Sequence, residues 1–261
     1  MEPILTVKNL SISFTRYGRG LSRTRLSAIQ DLSLTVEPGQ VAAVVGESGS
    51  GKSLLAHAIF RLLPRNARAE GTLLYDGAPL TEDRAKSLRG REIALIPQGV
   101  TYLDPMMKVG PQVRRGRTAS RQRCREALDR YGLGPEVEEL YPFELSGGMA
   151  RRVLIASAVV QSPRLIVADE PTPGLDLRAA GRILDHFREL AGQGAGVLFI
   201  THDLDLALTV ADKLVVLYEG RTVEEVSAAR FRAGEGLHPY TRALRDAMPR
   251  NWSSPGGHSF S

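Results

Sequence analysis

The segment Gly46-Glu47-Ser48-Gly49-Ser50-Gly51-Lys52-Ser53 constrains this chain more than any other. It follows a continuous apolar run, 41–45, and precedes a stretch, 53–63, that reads as a helix stopped by Pro64. An unbroken apolar run of this length is the pattern of a strand covered on both faces. Strand, glycine-rich turn and helix in that order aim main-chain N–H groups and a helix N-terminus at one point, which makes an anion cradle. A lysine at a helix start opposes the helix dipole unless an anion is present. The segment therefore predicts a phosphate-binding loop in which Lys52 reaches the β- and γ-phosphates of a nucleotide and the Ser53 hydroxyl ligates Mg2+.

The rest of the chain supplies a setting for such a loop. Residues 4–14 and 28–36 alternate apolar and polar and predict two half-buried strands joined by an Arg/Gly/Ser-rich hairpin. A further strand and turn is predicted over 70–80. Short apolar runs at 93–96, 165–168, 197–200 and 214–217 predict buried strands, with helical patterns between them. Strands alternating with helices argue for a parallel sheet in an α/β core. Residues 99–160 carry long helical patterns and many arginines, and read as a helical insertion in that core. Beyond Phe231 the composition turns to Gly, Pro, Ser and Arg, and the last ten residues read as a loose tail.

Composition narrows the classes. The 34 Lys and Arg exceed the 29 Asp and Glu by five, too weak an imbalance to indicate nucleic acid. The single cysteine, Cys124, excludes an intrachain disulfide and an all-cysteine metal site. No apolar run approaches the roughly 20 residues that span a bilayer. The N-terminus lacks the basic and apolar regions of a signal peptide, so secretion is not expected.

A second motif closes the 165–168 run with two acids, Asp169 and Glu170. Carboxylates at the end of a buried strand cost desolvation unless a cation or a task compensates. Asp169 is expected to hold Mg2+, and Glu170 to orient and polarise an attacking water. The third motif is Leu145-Ser146-Gly147-Gly148-Met149.

Phosphate loop, Gln98 after a strand, the 145–149 motif, an apolar strand ending in Asp-Glu, and Thr201-His202-Asp203 after a further strand resemble, in this order, the ATP-binding cassette (ABC) ATPases. The resemblance covers about residues 3–232. It implies one ABC ATPase domain over 1–261: a P-loop NTPase (RecA-like) α/β core from 1–98 and 161–232 with an N-terminal antiparallel β subdomain, an inserted α-helical subdomain at 99–160, and a tail at 233–261. ATP and Mg2+ are the implied ligands. Phe14 matches the aromatic that stacks on adenine, with Tyr17 as runner-up. Gly46, Glu47, Ser48, Gly49, Ser50, Gly51, Lys52 and Ser53 match the phosphate loop. Gln98 matches the lever between Mg2+ and the transport partner, and with Ser53 and Asp169 makes the implied metal set. Ser146, Gly147 and Gly148 match the signature that closes over the γ-phosphate held by a facing cassette. Asp176 matches the loop that crosses the dimer interface, and His202 the switch histidine at the γ-phosphate. Lys52, Gln98, Glu170 and His202 are the implied catalytic set. Met149, where Gln is commonest, and Pro173, where Thr or Ser is usual, depart from the pattern without removing a chemical group.

Finer resemblances lie at Tyr141-Pro142-Phe143-Glu144, Leu103-Asp104-Pro105-Met106 and His238-Pro239-Tyr240-Thr241, and point to the oligopeptide/nickel importer branch. The absence of a cysteine-bearing C-terminal extension makes the chain resemble its short nickel-type members. The implied partners are transmembrane permease subunits, a second ABC ATPase, identical or different, and indirectly a solute-binding protein, with no nucleic acid. The implied location is the cytoplasmic face of the inner membrane. Peptide, nickel and metal-chelate cargo stay open, as does service to an exporter or a non-transport complex. The stretch 99–110, with Val100, Tyr102, Leu103, Met106, Met107 and Val109, is expected to dock a permease helix. The arginines at 114, 115, 117, 121, 123, 125 and 130 read as a solvated face with Glu126 and Asp129 as partners, in preference to a face toward anionic headgroups or a regulatory anion.

Overall fold

The computed structural model describes residues 2–17, 23–47, 49–114 and 119–248, and among these described residues ten strands form two β-sheets. Strand β1 (Leu5–Tyr17) pairs antiparallel with β2 (Arg23–Val36), Leu5 opposite Val36 and Phe14 opposite Leu26. On its other side β1 pairs with β4 (Ala67–Tyr75), which turns back into the short β5 (Ala78–Pro79), giving the order β2-β1-β4-β5.

The second sheet holds β3 (Val41–Gly46), β6 (Ile93–Ile96), β7 (Leu165–Asp169), β8 (Gly196–Ile200), β9 (Lys213–Tyr218) and β10 (Arg221–Ser227) in the order β10-β9-β3-β8-β7-β6. All neighbours are parallel except β10 on β9. Every residue of β3, β7 and β8 is buried, because both faces of the sheet are covered. Side chains alternate between two cores, as the strand period of two requires. Ala42 and Val44 join Ile12, Ile29, Leu34, Leu55 and Ile59 against the antiparallel sheet. Val41, Ala43 and Val45 join Val153, Ile155, Ile183 and Phe187 on the opposite face.

The helices are α1 (Lys52–Ile59), α2 (Glu82–Leu88), α3 (Val109–Val113), α4 (Arg121–Arg130), α5 (Gly147–Val159), α6 (Leu177–Gly192), α7 (Leu204–Val210), α8 (Ala228–Ala233) and α9 (Pro239–Asp246). Ser120 and Ser146 cap α4 and α5 with side-chain oxygens that accept from the N–H groups of Arg123 and Met149, satisfying donors that a helix start leaves free. None of the described helices is long and apolar enough to cross a membrane.

Several expectations change. Helix α1 ends at Ile59, short of residue 63, where Arg61 turns into the left-handed region at φ 51°. Strand β10 is unforeseen; it carries few apolar residues and is held by Lys213–Glu225 and by the Thr222 hydroxyl donating to the Ser33 carbonyl at 2.8 Å. The stretch 233–246 is not all tail, since it carries α9. Leu103 and Val109 are buried in the core, which leaves Tyr102, Met106 and Met107 as the exposed members of the 99–110 stretch. Arg125 and Arg130 pair with Glu138 and Glu189 instead of Glu126 and Asp129. Glu126 accepts instead from Gln122. Arg115, Arg117 and the last ten residues lie outside the described residues, as does the side chain of Tyr17.

Candidate functional site

Parallel strands end on the same side of a sheet, so their following loops share one rim. The loop after β3 leads into α1, Gln98 follows β6, Glu170 follows β7 and His202 follows β8. Because β7 lies between β6 and β8, Gln98 and His202 flank Glu170. The Gln98 Nε2 donates to Glu170 Oε2 at 3.1 Å, and His202 Nδ1 lies 2.9 Å from Glu170 Oε1. An ionised Glu170 accepts from the Nδ1–H tautomer of that histidine. Glu170 sits at φ 46°, a left-handed conformation that a side chain other than glycine adopts rarely and at a cost. Its N–H is held by the Ile200 carbonyl at 2.9 Å.

Two glycines of the 46–53 loop are fixed by close approach. A Cβ on Gly46 would lie 2.3 Å from the Leu217 carbonyl oxygen. A Cβ on Gly51, at φ 90°, would lie 2.7 Å from Ile29 Cγ1. The loop is thereby pressed between β9 and β2. Lys52 is buried, and its Nζ donates to the carbonyls of Gly46 at 2.8 Å and Glu47 at 2.7 Å. Burial lowers the Lys52 pKa, and the nearby Glu170 and Asp169 carboxylates act in the opposite sense. Glu47 and Gly49 are exposed; Ser48 lies outside the described residues.

Asp169 is buried, and that burial raises its pKa, offset by a hydrogen bond from Ser53. Its Oδ1 has no partner among the described residues, and neither has the buried Ser50 Oγ. A buried unpartnered carboxylate oxygen costs free energy unless a cation or donor arrives. Beside the Ser53 hydroxyl it is the oxygen donor set that suits Mg2+, which keeps waters and takes only one or two protein carboxylates.

Ser146 and Gly147 are exposed, and Gly148 is half-buried beside Gly174 and Leu175, so the 146–148 turn lies against the loop that ends at Asp176. Asp176 caps α6 by accepting from the Ala179 N–H at 2.7 Å. None of these four side chains or turns reaches Glu170 by a hydrogen bond among the described residues. Phe14 is half-buried on β1, two positions beyond Ile12, whose partner on β2 is the Ile29 that abuts Gly51.

Two contacts are not legible in the sequence. Arg151, buried in α5, donates through Nη1 to the carbonyls of Pro97 at 3.4 Å and Glu170 at 3.2 Å. Burial lowers its pKa, with Glu170 and Asp169 opposing. The Tyr102 hydroxyl lies 3.5 Å from Nε2 of His57, on the helix that follows the phosphate loop. Both act across long sequence separations, and only Arg151's place three residues after Gly148 hinted at a role.

The comparisons agree with this geometry. The family model described as ABC transporter matches residues 29–173. The oligopeptide transport ATP-binding protein OppD of Bacillus subtilis (strain 168) is 36% identical over 268 residues, covering 96% of this chain and 73% of the relative. A putative peptide import ATP-binding protein of Brucella ovis is 37% identical, covering 95% and 78%. The solved ATP-binding subunit of an ABC transporter superposes with a TM-score of 0.76 at 26% identity, covering 93% of this chain and 99% of that one. A dimeric ATP-binding cassette in a post-hydrolysis state, bound to ADP and Pi, superposes with a TM-score of 0.75 at 26% identity, covering 86% and 98%. With motifs, sheet order and relatives in accord, the chain belongs to the ABC transporter family.

Proposed function

We propose that this chain hydrolyses ATP to drive import of peptides through a membrane permease. The observation that carries the reading is the Glu170 carboxylate held by Gln98 on one oxygen and His202 on the other, beside the 46–53 loop. Held at both oxygens, Glu170 has little freedom to rotate, so it is oriented to accept a proton from water before substrate arrives. Lys52 is the fixed cation for the β- and γ-phosphates, and the loop N–H groups share their charge. Gly46, Glu47, Gly49, Ser50 and Gly51 are the described residues of that cradle, and Phe14 would provide a ring for the base. Ser53, Asp169 and Gln98 are the residues that would hold Mg2+, which supplies charge neutralisation across the phosphates when bound. His202 both orients Glu170 and is placed to meet the γ-phosphate.

Ser146, Gly147, Gly148 and Asp176 are read as serving a facing cassette, since they lie on turns that are exposed or half-buried and make no hydrogen bond to Glu170 among the described residues. A second ATPase chain, identical or different, then completes each site. Exposed Tyr102, Met106 and Met107 are the surface offered to a permease helix, and the Tyr102–His57 contact ties that surface to the phosphate-loop helix. The permease would hold the chain peripherally at the cytoplasmic face of the inner membrane, and a solute-binding protein would select the cargo. Peptide is preferred to nickel or a metal chelate because the named relatives are peptide import proteins.

The test is uptake by proteoliposomes holding the full transporter. ATP-dependent accumulation of a labelled oligopeptide, lost with Glu170→Gln, is expected. Uptake of nickel alone, or peptide uptake that ignores Glu170→Gln, would overturn the reading.

A further inference from the structure

A second charged site lies apart from the rim that carries Glu170. A pocket of about 140 Å³ opens between α3, α4 and the 3-10 turn Pro135–Glu139, lined by Gly110, Arg114, Arg121, Arg125, Glu138 and Glu139. At roughly 30 Å³ per water, this is room for a small tetrahedral oxyanion with a water beside it. The arginines come from two elements: Arg114 closes α3, while Arg121 and Arg125 stand one turn apart on α4.

The carboxylates of the pocket are already matched. Glu138 is buried and bonded to Arg125 at 2.9 Å. Glu139 is bonded to Lys108 at 2.8 Å. Among the described residues, Arg114 donates only to the Gly110 carbonyl, at 3.2 Å, and neither it nor Arg121 has a carboxylate within ion-pair distance. Both are close enough to act on Glu139, whose pKa falls chiefly through its bond to Lys108 and further through Arg121 and Arg114. Two guanidinium groups thus line one small concavity with no ion-pair partner of their own among the described residues, its carboxylates being paired with Lys108 and Arg125. Guanidinium forks match phosphate oxygens in geometry as well as sign.

We infer that this pocket is a binding site for a phosphate-type dianion, gripped by Arg114 and Arg121 and walled by the Arg125–Glu138 pair. The two excess positive charges equal the charge of a phosphate group near neutral pH. The inference does not depend on the function proposed for Glu170. Free inorganic phosphate and the headgroup phosphate of an anionic lipid share this chemistry, and the two arms of one experiment separate them.

In the first arm, equilibrium dialysis measures labelled inorganic phosphate on the full chain with ADP saturating the loop at Lys52. In the second, flotation measures binding to vesicles of phosphatidic acid, whose headgroup is a phosphomonoester, in phosphatidylcholine against phosphatidylcholine alone. The test variant is Arg114→Gln with Arg121→Gln. The control is Arg123→Gln, which removes a charge from the same helix outside the pocket. Unchanged ADP affinity in each variant shows that it is folded, and Arg121→Gln alone, an exposed position, backs up the double variant.

Loss of a charge-assisted bond should weaken binding about tenfold in the double variant and little in the control. Phosphate binding that behaves so assigns the site to a free anion, and vesicle binding that behaves so assigns it to a headgroup. Binding in neither arm, or equal loss with Arg123→Gln, overturns the site and leaves only a diffuse positive field.

Discussion

Arg151, buried in the helix that the 146–148 turn begins, donates to the main-chain carbonyl of Glu170 at 3.2 Å. The same nitrogen reaches the carbonyl of Pro97, the residue before Gln98. One side chain therefore joins the helix after the signature to the backbone on either side of the Gln98–Glu170 bond.

Arg151→Met keeps an unbranched apolar stem and removes the guanidinium with both of its hydrogen bonds. The carbonyls of Pro97 and Glu170 then lose a buried partner, a loss of about 1–3 kcal/mol. ATP hydrolysis should fall while ATP affinity holds, and the melting temperature should drop by several degrees. Turnover equal to wild type in a correctly folded variant would detach Arg151 from the site.

Glu170→Gln removes the proposed proton acceptor but preserves shape. Turnover should fall by roughly 10²- to 10⁴-fold, the range for loss of a general base. Nucleotide affinity, carried by Lys52 and the loop, should stay within a few fold. Steady-state hydrolysis and equilibrium binding on the assembled transporter give the two numbers. Lys52→Ala should show the reverse pattern, losing affinity first, because it deletes the buried cation of the phosphate site.

Val109 and Met106 lie three residues apart and have opposite surroundings. Val109 is fully buried and Met106 is 85% exposed. Val109→Asp places an unpaired charge in the core and should destabilise the chain by at least ~3 kcal/mol. Met106→Asp should leave thermal stability almost unchanged and weaken permease co-purification. Melting curves and pull-down on the two single variants decide the matter, and equal melting temperatures would contradict the burial of Val109.

His186 predicts a pH dependence. It is buried, its Nδ1 is bonded to the Tyr131 hydroxyl, and burial with help from Arg130 pushes its pKa down to about 4, against a smaller opposing effect of Glu189. The unfolded chain, with a histidine near pKa 6.5, binds the proton more readily than the folded one. Stability therefore falls as pH drops from about 6.5 toward 4, by on the order of 3 kcal/mol in all. His186→Leu should flatten that part of the curve in chemical denaturation at a series of pH values. An unchanged slope would assign the acid sensitivity to other groups.

The buried strands were the most legible part of the chain. The 93–96 run became β6 with the expected bounds, because a strand covered on both faces writes its burial directly into sequence. Strand β10 was not legible, since Thr222 and Glu225 owe their places to Ser33 and Lys213, partners that no local pattern reveals. The same holds for Arg125 and Arg130, whose nearest acidic residues in sequence are not their partners in space. Among site residues, the 46–53 loop announced itself by spacing. Glu170 could be named from the acidic end of a buried strand, whereas Gln98 and His202 could be named only through the resemblance to the ABC ATPases. That the first is held by the other two follows from the order β8-β7-β6, which sequence does not contain.

That order also governs the life of the chain on the ribosome. Strand β8, residues 196–200, is the shared neighbour of β3 and β7 and pairs with both. Until synthesis passes Ile200, the half of the sheet with Lys52 and the half with Glu170 lack the strand that joins them. His202 is not yet made either. A chain stopped before that point has a phosphate loop but no assembled carboxylate to act with it. A fragment ending before Gly196 is therefore expected to show no ATPase activity in a hydrolysis assay, a consequence of placing a late strand in the middle of the sheet.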